Sequence, residues 1–329
     1  AEVLLADGYQ VSGCDLELSE RTARLTELGA RVDRGHDPAH LGDVDALVVS
    51  SAVSPAHPEV AAARTAGLPV VRRAEMLGFL MRGARGVAVA GTHGKTTTTA
   101  LTGHLLDAVG LSPTVVVGGN ARFLGAHGRR GAGELLVCEA DEFDRSFLEL
   151  NPEIAVITNL EPEHLDCYGG EGELEAAFAT FANRVTPFGL VVLCGDDAGA
   201  RSLEPRLRRR ALWYGTTTGC DLRATDIVAD AGGSRFTVES AAGGRLGTVR
   251  LPLLGLHNVR NALAALAVGL ELGVEFARLA AACATFAGVA RRFQVLGERA
   301  GITVVDDYAH HPTEIAAVLA AARQAMPGR

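Results

Sequence analysis

The chain has 329 residues, of which 48% are hydrophobic and 21% charged, with a formal net charge of −8. This length and composition predict a soluble globular protein of two or three domains, each large enough for its own core. The negative charge disfavours a nucleic-acid surface, and no apolar run approaches the roughly 20 residues that cross a bilayer. Since the sequence also has no signal-peptide pattern, it predicts a cytoplasmic protein with no nucleic-acid partner and no membrane insertion.

Residues 1–83 alternate between helical and strand patterns. Helices are predicted from the start of the chain to Gly8, over 19–28 and over 58–66, and strands over 10–13, 45–49 and 68–71. This alternation predicts a parallel sheet. Asp15 directly follows a strand, where such sheets bind ligands, so it is a candidate contact for a ribose or a uracil. An exposed turn carboxylate is the alternative interpretation of Asp15.

The next segment has the pattern of a phosphate-binding loop. A short apolar strand is predicted over 86–90 and a helix over 96–109, and the loop between them contains Lys95, the only lysine of the chain. In such loops, backbone N–H groups at the helix N-terminus cradle phosphates, lysine reaches the terminal ones, and the next hydroxyl binds Mg²⁺. The usual pattern has glycine where this chain has Val89, and simple turn chemistry is the alternative.

Polar side chains follow three more apolar strands, predicted over 135–138, 154–158 and 190–194. These strands lead to Glu139, to the segment 159–166 and to Asp196-Asp197. Acidic residues at the carboxyl ends of parallel strands beside a phosphate-binding loop are where Mg²⁺ ligands are expected. Residues 212–252 are predicted to be β-rich, and an apolar helix follows up to Leu272.

The helical pattern breaks over 288–293, which suits a joint between domains. A strand over 302–305 and a further helix come after it. The six cysteines are scattered and none forms a Cys-x-x-Cys pair, so their spacing indicates neither a zinc site nor a disulfide framework. The chain starts inside a helical pattern without a methionine and ends one helix after the last strand, so both ends are expected to lie within domains.

Six motifs occur in the order of a known family. They are Gly91-Thr-His-Gly-Lys-Thr96, Glu139-Ala-Asp-Glu142, Thr158-Asn159 with Glu163-His164-Leu-Asp166, His257-Asn258 with Asn261, Arg291-Arg-Phe293 and Asp306-Asp-Tyr-Ala-His-His-Pro-Thr313. Together they resemble the Mur ligases, and within that family the branch that joins L-alanine to UDP-N-acetylmuramate. The resemblance covers essentially the whole chain, and six ordered motifs are far more specific than the phosphate-binding loop alone.

The resemblance implies an α/β fold of three domains. These would be a Rossmann-like UDP-sugar-binding domain over 1–83, a central P-loop ATPase domain with a mostly parallel sheet over 84–289, and the beginning of a Rossmann-like amino-acid-binding domain over 290–329. It also implies ATP and Mg²⁺ as cofactors, UDP-N-acetylmuramate and L-alanine as small-molecule substrates, and a monomer or homodimer. ATP would convert the sugar carboxylate to an acyl phosphate, which the amine of alanine would attack, in peptidoglycan precursor synthesis.

The same resemblance implies roles for individual residues. The expected catalytic residues are Lys95, His164, Arg292 and His310. The expected metal ligands are Thr96, Glu139 and His164. The expected nucleotide-binding residues are Gly91, Thr92, His93, Gly94, Lys95, Thr96, Thr97, His257, Asn258, Asn261 and Tyr308. His93 is expected to face the muramic acid carboxylate. Glu163 stands where the family usually has aspartate, which leaves its role open.

Simpler interpretations exist for several of these residues: His164 as a helix-cap histidine, Asn258 as an N-cap and Arg291-Arg292 as a surface pair. Three alternative functions also remain: a murein tripeptide ligase of the recycling type, a P-loop kinase or switch protein, and a fragment that only binds nucleotide. The tripeptide ligase shares Gly-Thr-His-Gly-Lys-Thr, but Asp306-Asp-Tyr308 favours the alanine-adding branch. Since the arginines for the alanine carboxylate would lie beyond residue 329, we expect these 329 residues to bind ATP without completing the ligation.

Overall fold

The first part of the chain contains four short strands and four helices. The structure, a computed structural model, describes residues 1–163, 167–230 and 232–326. The elements here are α1 (Glu2–Ala6), β1 (Ser12–Asp15), α2 (Glu20–Glu27), β2 (Arg31–Arg34), β3 (Leu47–Val49), α3 (Pro58–Thr65), β4 (Val70–Arg72) and α4 (Arg73–Met81), with a 3₁₀ turn at Pro38–Leu41. All three predicted helices are confirmed.

The strands of this part pair in parallel, as the alternating pattern predicts, but in two separate pieces. β1 pairs with β2, and β3 pairs with β4. Each strand has only three or four residues with few buried side chains. The strands therefore offer too little apolar surface to join the two pairs into one sheet. β1, β3 and β4 each begin two residues later than predicted. β2 was not predicted, because its charged sequence Arg31–Arg34 has no apolar run.

The central part of the chain forms a ten-stranded sheet with helices on both faces. Its elements are β5 (Arg85–Ala90), α5 (Lys95–Ala108), β6 (Thr114–Ala121), β7 (Ala126–Arg129), β8 (Leu135–Glu139), β9 (Ile154–Ile157), α6 (Glu171–Asn183), β10 (Leu190–Cys194), α7 (Ala198–Ser202), β11 (Ala211–Gly215), β12 (Leu222–Asp230), β13 (Gly233–Ser240), β14 (Gly244–Leu251), α8 (Leu256–Glu271) and α9 (Phe276–Cys283), with 3₁₀ turns at Phe143–Glu149 and Glu204–Arg206.

The strand order in this sheet is β14-β13-β12-β11-β10-β9-β5-β8-β6-β7. The strands from β12 through β6 pair in parallel, and β7, β13 and β14 add antiparallel edges. The mostly parallel sheet and the β-rich segment over 212–252 are therefore confirmed. β5 lies in the middle of the parallel strands, so the loop after it opens at the carboxyl edge of the sheet, where α/β proteins bind ligands.

Alternation along β5 divides the core into two layers. Val87 and Val89 face the buried apolar side of α5 and α8, whereas Ala88 and Ala90 face α6 and the 3₁₀ turn at Phe143–Glu149. Residues 86–90 of β5 are all apolar and buried, because both faces of a central parallel strand are covered. Burial of the two faces fixes the direction in which the loop after Ala90 leaves the sheet.

The last part of the chain is a hairpin and a helix, namely β15 (Gln294–Arg299), β16 (Ile302–Asp306) and α10 (Pro312–Ala325). The strand over 302–305 and the helix after it are confirmed. β15, which pairs with β16 in antiparallel fashion, was not predicted because five of its six residues are exposed. In the described part of the chain, every helix is too short or too polar to cross a bilayer.

Candidate active site

The loop between β5 and α5 depends on two glycines that have little room for a side chain. Gly91 has φ +133° and Gly94 has φ +79°, in the region that favours glycine. A Cβ on Gly91 would lie 2.0 Å from Thr158 Oγ1, and a Cβ on Gly94 would lie 2.8 Å from Asn261 Oδ1. The loop is therefore packed against the segment after β9 and the start of α8, and it is not a generic turn.

The segment after β9 holds the loop by hydrogen bonds. Thr158 Oγ1 donates to the His93 carbonyl at 2.5 Å, and Asn159 both accepts from His93 N–H at 2.7 Å and donates to its carbonyl at 3.0 Å. The backbone N–H of Glu161 donates to Thr92 Oγ1 at 2.9 Å. These bonds fix the backbone ahead of α5, whose first-turn N–H groups have no partner within the helix and can receive an anion.

Lys95 is held by a buried carboxylate. Its Nζ lies 2.7 Å from both oxygens of Glu142 and donates to the carbonyls of Gly91 at 2.7 Å and Thr92 at 3.3 Å. The Glu142 side chain is only 2% exposed. Burial raises the pKa of Glu142, and the charge of Lys95 acts in the opposite direction. The ammonium thus sits at the mouth of the loop, paired with an acid that sequence reasoning had left without a role.

Thr96 and Glu139 lie together at the start of α5. Thr96 Oγ1 donates to Glu139 Oε2 at 3.2 Å, and Gly118 N–H donates to Glu139 Oε1 at 2.5 Å. Burial raises the pKa of Glu139, so a cation at this point would relieve the cost of its charge. A hydroxyl and one carboxylate beside a phosphate-binding loop are the oxygen donors that Mg²⁺ uses in such sites, so these residues fit the ion that the sequence implied.

The N-terminal turn of α8 lies beside the loop and presents the two amides together. Asn261 Nδ2 donates to Asn258 Oδ1 at 3.1 Å, and Asn258 Nδ2 donates to the Leu254 carbonyl at 2.7 Å and lies 3.1 Å from His257 Nε2. Burial lowers the pKa of His257. The N-cap of α8 is Gly255, so the interpretation of Asn258 as an N-cap is wrong.

The last part of the chain, residues 290–326, is called the third segment here, and it contacts the loop through His93. His93 Nδ1 lies 3.5 Å from Glu314 Oε1, and its Nε2 lies 3.6 Å from Glu161 Oε2. Arg292 Nη1 also reaches Glu314 Oε1, at 3.3 Å, so Arg292 belongs to this contact and is not part of a free surface pair. The ring of His311 lies 4.5 Å from that of His93. His93 is thus the residue of the loop that faces the third segment.

Tyr308 and His310 lie on the exposed side of this segment. The Tyr308 side chain packs under the guanidinium of Arg291 at 4.8 Å, and its ring lies 5.2 Å from that of His310. His310 Nδ1 lies 3.0 Å from the Tyr308 carbonyl. The histidine that reaches the loop is the neighbouring His311, a distinction that two adjacent histidines in a sequence do not provide.

Other sequence-predicted residues have simpler surroundings. His164, with Leu165 and Asp166, lies outside the described residues. Thr97 is buried in the first turn of α5. Asp15 ends β1, is exposed, and accepts from Glu17 N–H at 3.2 Å, as a turn carboxylate does. Sequence reasoning missed Glu142, Glu161 and Glu314, although Glu142 stands inside the quoted Glu139-Ala-Asp-Glu motif and could have been singled out there.

The pair of His93 and Glu314 makes this contact pH-dependent. Burial alone would raise the pKa of Glu314, but the hydrogen bond to His93 and the charges of Arg292 and His93 outweigh it and lower the value to about 2. Burial alone would lower the pKa of His93, but the hydrogen bond and charge of Glu314, helped by Glu161 and Glu163, raise it above 6.5.

The two groups affect the pH dependence of folding stability in opposite directions. The stability that Glu314 contributes is fully present above pH 4.5 and is lost as the pH falls toward about 2. The stability that His93 contributes is fully present below pH 6.5 and is lost as the pH rises through its raised pKa.

We therefore expect an NMR titration of the His93 ring to have its midpoint above pH 6.5, and we expect that midpoint to move down in Glu314→Gln. The matched change Glu20→Gln, at an exposed site in α2, should leave it unmoved; a midpoint below 6.5 in the unmodified protein would contradict the assignment.

The fold and the loop define a P-loop protein of the α/β class, with its phosphate-binding loop pattern at the carboxyl edge of the central sheet. Comparison of sequences identifies the family. Residues 1–85 match the description "Mur ligase family, catalytic domain", residues 89–269 "Mur ligase middle domain" and residues 291–329 "Mur ligase, glutamate ligase domain". The chain belongs to the Mur ligase family, whose members are ATP-dependent ligases.

Relatives with an assigned activity match the whole chain. The UDP-N-acetylmuramate–L-alanine ligase of Acidithiobacillus ferrooxidans is 49% identical over 333 residues, which cover 100% of this chain and 72% of that protein. The enzyme of the same name from Geobacter sulfurreducens is 48% identical over 330 residues, covering 100% and 71%.

Solved structures agree with this family. The crystal structure of the UDP-N-acetylmuramate–alanine ligase MurC from Thermotoga maritima has a TM-score of 0.84 at 32% identity, covering 98% of this chain and 74% of that one. A murein peptide ligase from Psychrobacter arcticus also has a TM-score of 0.84, at 26% identity, covering 99% and 73%. The fold alone thus does not separate the two activities.

Proposed function

We propose that the protein joins L-alanine to UDP-N-acetylmuramate with conversion of ATP to ADP and phosphate. The observation that carries the proposal is the identity of 49% over the whole chain to a ligase of that name. The geometry of the loop supports it, because Lys95 and the first turn of α5 are arranged to receive phosphates. A carboxylate is a poor electrophile, so its activation by ATP suits a site built to neutralise phosphate charge.

In this proposal, the charged residues around the loop position the triphosphate. Lys95 would exchange its contact with Glu142 for one with the β- and γ-phosphates, and the carbonyls of Gly91 and Thr92 would continue to accept from its Nζ. Thr96 and Glu139, with His164 from the undescribed segment, would hold Mg²⁺, which neutralises phosphate charge when bound. Arg292 would meet the phosphates from the third segment, since it already lies over the loop through Glu314.

The remaining site residues are assigned to recognition of the two substrates. His257, Asn258 and Asn261 would bind the adenine, because their ring and amides are grouped by hydrogen bonds beside Gly94. His93 would face the muramic acid carboxylate, and its raised pKa favours the charged form of the ring beside that group. Tyr308 and His310 would contact nucleotide or amino acid, and their exposed position leaves them open to a bound molecule.

In this proposal the chain has three functional parts. They are a UDP-sugar-binding part over 1–83, an ATPase part over 84–289 and an amino-acid-binding part over 290–329. The proposal places the enzyme in the cytoplasm, where its nucleotide substrates are made. Arg292 and His93 belong to different segments and meet through Glu314. A movement of the third segment relative to the ATPase part would therefore form or break this contact.

Phosphate release tests the proposal. The complete gene product is incubated with ATP, Mg²⁺ and UDP-N-acetylmuramate, and either L-alanine or the murein tripeptide is added in parallel. We expect release that depends on L-alanine. Release with the tripeptide alone would assign the protein to the recycling ligases, which share its fold. Release with neither amine would overturn the ligase assignment in favour of another P-loop class.

A further inference from the structure

A cluster of metal-binding side chains lies in the N-terminal part of the chain, outside the site described above. Cys14 comes from β1, His36 and His40 from the segment after β2, and His57 and Glu59 from the start of α3. We call these five residues the Cys14–Glu59 cluster. The side chain of Glu59 is only 8% exposed, and the other members surround it.

The donor atoms of the cluster converge on the Glu59 carboxylate. Glu59 Oε1 lies 3.2 Å from Cys14 Sγ and 3.0 Å from His40 Nδ1. Glu59 Oε2 lies 3.5 Å from His36 Nδ1, which in turn lies 3.3 Å from Cys14 Sγ. Donor atoms of Cys14, His40 and Glu59 all lie within 4.8 Å of one another.

These separations match a coordination shell. With Zn–S near 2.3 Å and Zn–N near 2.0 Å, tetrahedral geometry places neighbouring donor atoms about 3.3 to 3.6 Å apart. Four separations between donor atoms of Cys14, His36, His40 and Glu59 are 3.0 to 3.5 Å and overlap that range, with Cys14 and His40 measured to Glu59 Oε1 and His36 to Oε2. Thiolate and imidazole donors select Zn²⁺ and similar borderline ions over Mg²⁺ or Ca²⁺.

One buried polar atom of the cluster lacks a hydrogen-bond partner. His57 Nδ1 is buried and has no hydrogen-bond partner, although it lies 3.8 Å from Glu59 Oε2. Buried polar atoms normally have a partner, so this unpaired nitrogen beside the Glu59 carboxylate shows that the cluster without an ion leaves a buried polar group unsatisfied.

We propose that Cys14, His36, His40 and Glu59 bind a divalent transition-metal ion of the Zn²⁺ class. Cys14, whose S–H donates to Glu59, gives up that proton when its sulfur binds the metal, so each ion bound releases one proton from the thiol. His57 lies outside the four ligands and orients Glu59 through Oε2. The bound ion would link β1, the 3₁₀ turn at Pro38–Leu41 and α3 through their side chains.

This site could not be predicted from the sequence, because its ligands do not form a motif of closely spaced residues. They are spread from residue 14 to residue 59, and the only cysteine among them has no partner cysteine. Parallel pairing of β1 with β2 brings Cys14 next to the segment that follows Arg34, and the first turn of α3 adds Glu59.

Metal titration with cobalt as a spectroscopic probe tests the proposal. The protein is stripped of metal and titrated with Co²⁺ and, separately, with Zn²⁺ against a competing chelator, in excess Mg²⁺ that fills oxygen-donor sites. We expect one equivalent of Co²⁺ and a near-ultraviolet thiolate-to-cobalt charge-transfer band. Cys14→Ser should abolish the band, whereas Cys167→Ser, at another partly exposed cysteine, should keep it.

The histidines give a graded second test. We expect His40→Asn to weaken Zn²⁺ binding by more than about 100-fold and His57→Asn by about 10- to 100-fold, the range for residues that orient a ligand. His127→Asn, outside the cluster, should leave the affinity unchanged. Should Cys14→Ser fail to fold, His40→Asn decides the question by its cobalt spectrum. Absence of stoichiometric Zn²⁺ or Co²⁺ binding, or a thiolate band that survives Cys14→Ser, would overturn the proposal.

Discussion

Lys95→Ala is expected to lower alanine-dependent phosphate release by on the order of 10³-fold, because it removes the charge that would stabilise the transferred phosphoryl group. Lys95→Arg should rescue little of the loss. The ammonium of Lys95 contacts two carbonyls and the Glu142 carboxylate at 2.7 to 3.3 Å, and a planar guanidinium is too large and too rigid for that position. The measurement is kcat/KM for alanine-dependent phosphate release by the complete gene product and its variants.

Stability and activity should separate at the same site. Lys95→Ala also leaves Glu142 buried without its cation, which we expect to cost about 3 kcal/mol of unfolding free energy in urea. The double change Lys95→Ala/Glu142→Gln should recover most of that stability and none of the activity. Arg250→Ala, which breaks a fully exposed ion pair with Asp230, is the control and should leave the unfolding free energy nearly unchanged, because solvent screens such a pair. Recovery of activity in the double variant would refute the phosphate-binding role of Lys95.

Gly91→Ala is expected to abolish ATP binding and to reduce the unfolding free energy by at least about 3 kcal/mol. Two independent costs add here. The backbone of Gly91 has φ +133°, and its new Cβ would lie 2.0 Å from Thr158 Oγ1 and 3.0 Å from the Asn159 carbonyl oxygen. Nucleotide binding by calorimetry and unfolding in urea are the measurements.

The two costs can be separated with matched variants. Gly110→Ala has the same change of residue at φ +84° with no atom within 4 Å of the new Cβ, so it should cost only about 1 to 2 kcal/mol, the backbone part. Gly91→Ala/Thr158→Ala removes the nearest clash and should recover part of the stability. A cost for Gly91→Ala no larger than for Gly110→Ala would show that the loop is not packed against the segment after β9.

Several elements of the fold and the site could be predicted from residue patterns. The phosphate-binding loop was identified because strand, glycine loop, lysine and helix are contiguous, so local chemistry determines the geometry. Asn258 and Asn261 could be placed on one face because a helix repeats every three to four residues, and their hydrogen bond confirms it. β2 and β15 could not be predicted, since their exposed and charged residues show no apolar alternation.

The sequence by itself determined the central α/β architecture and the phosphate-binding loop, and its ordered motifs placed the chain in its family. Only the tertiary structure decided which acidic side chains contact the loop and the histidines. Glu142 reaches Lys95 across 47 residues, Glu314 reaches His93 from α10, and Glu59 collects donors from β1 and the segment after β2. Periodicity reports which face of an element is buried, whereas a contact between polar side chains depends on how distant elements pack, and no local pattern contains that information.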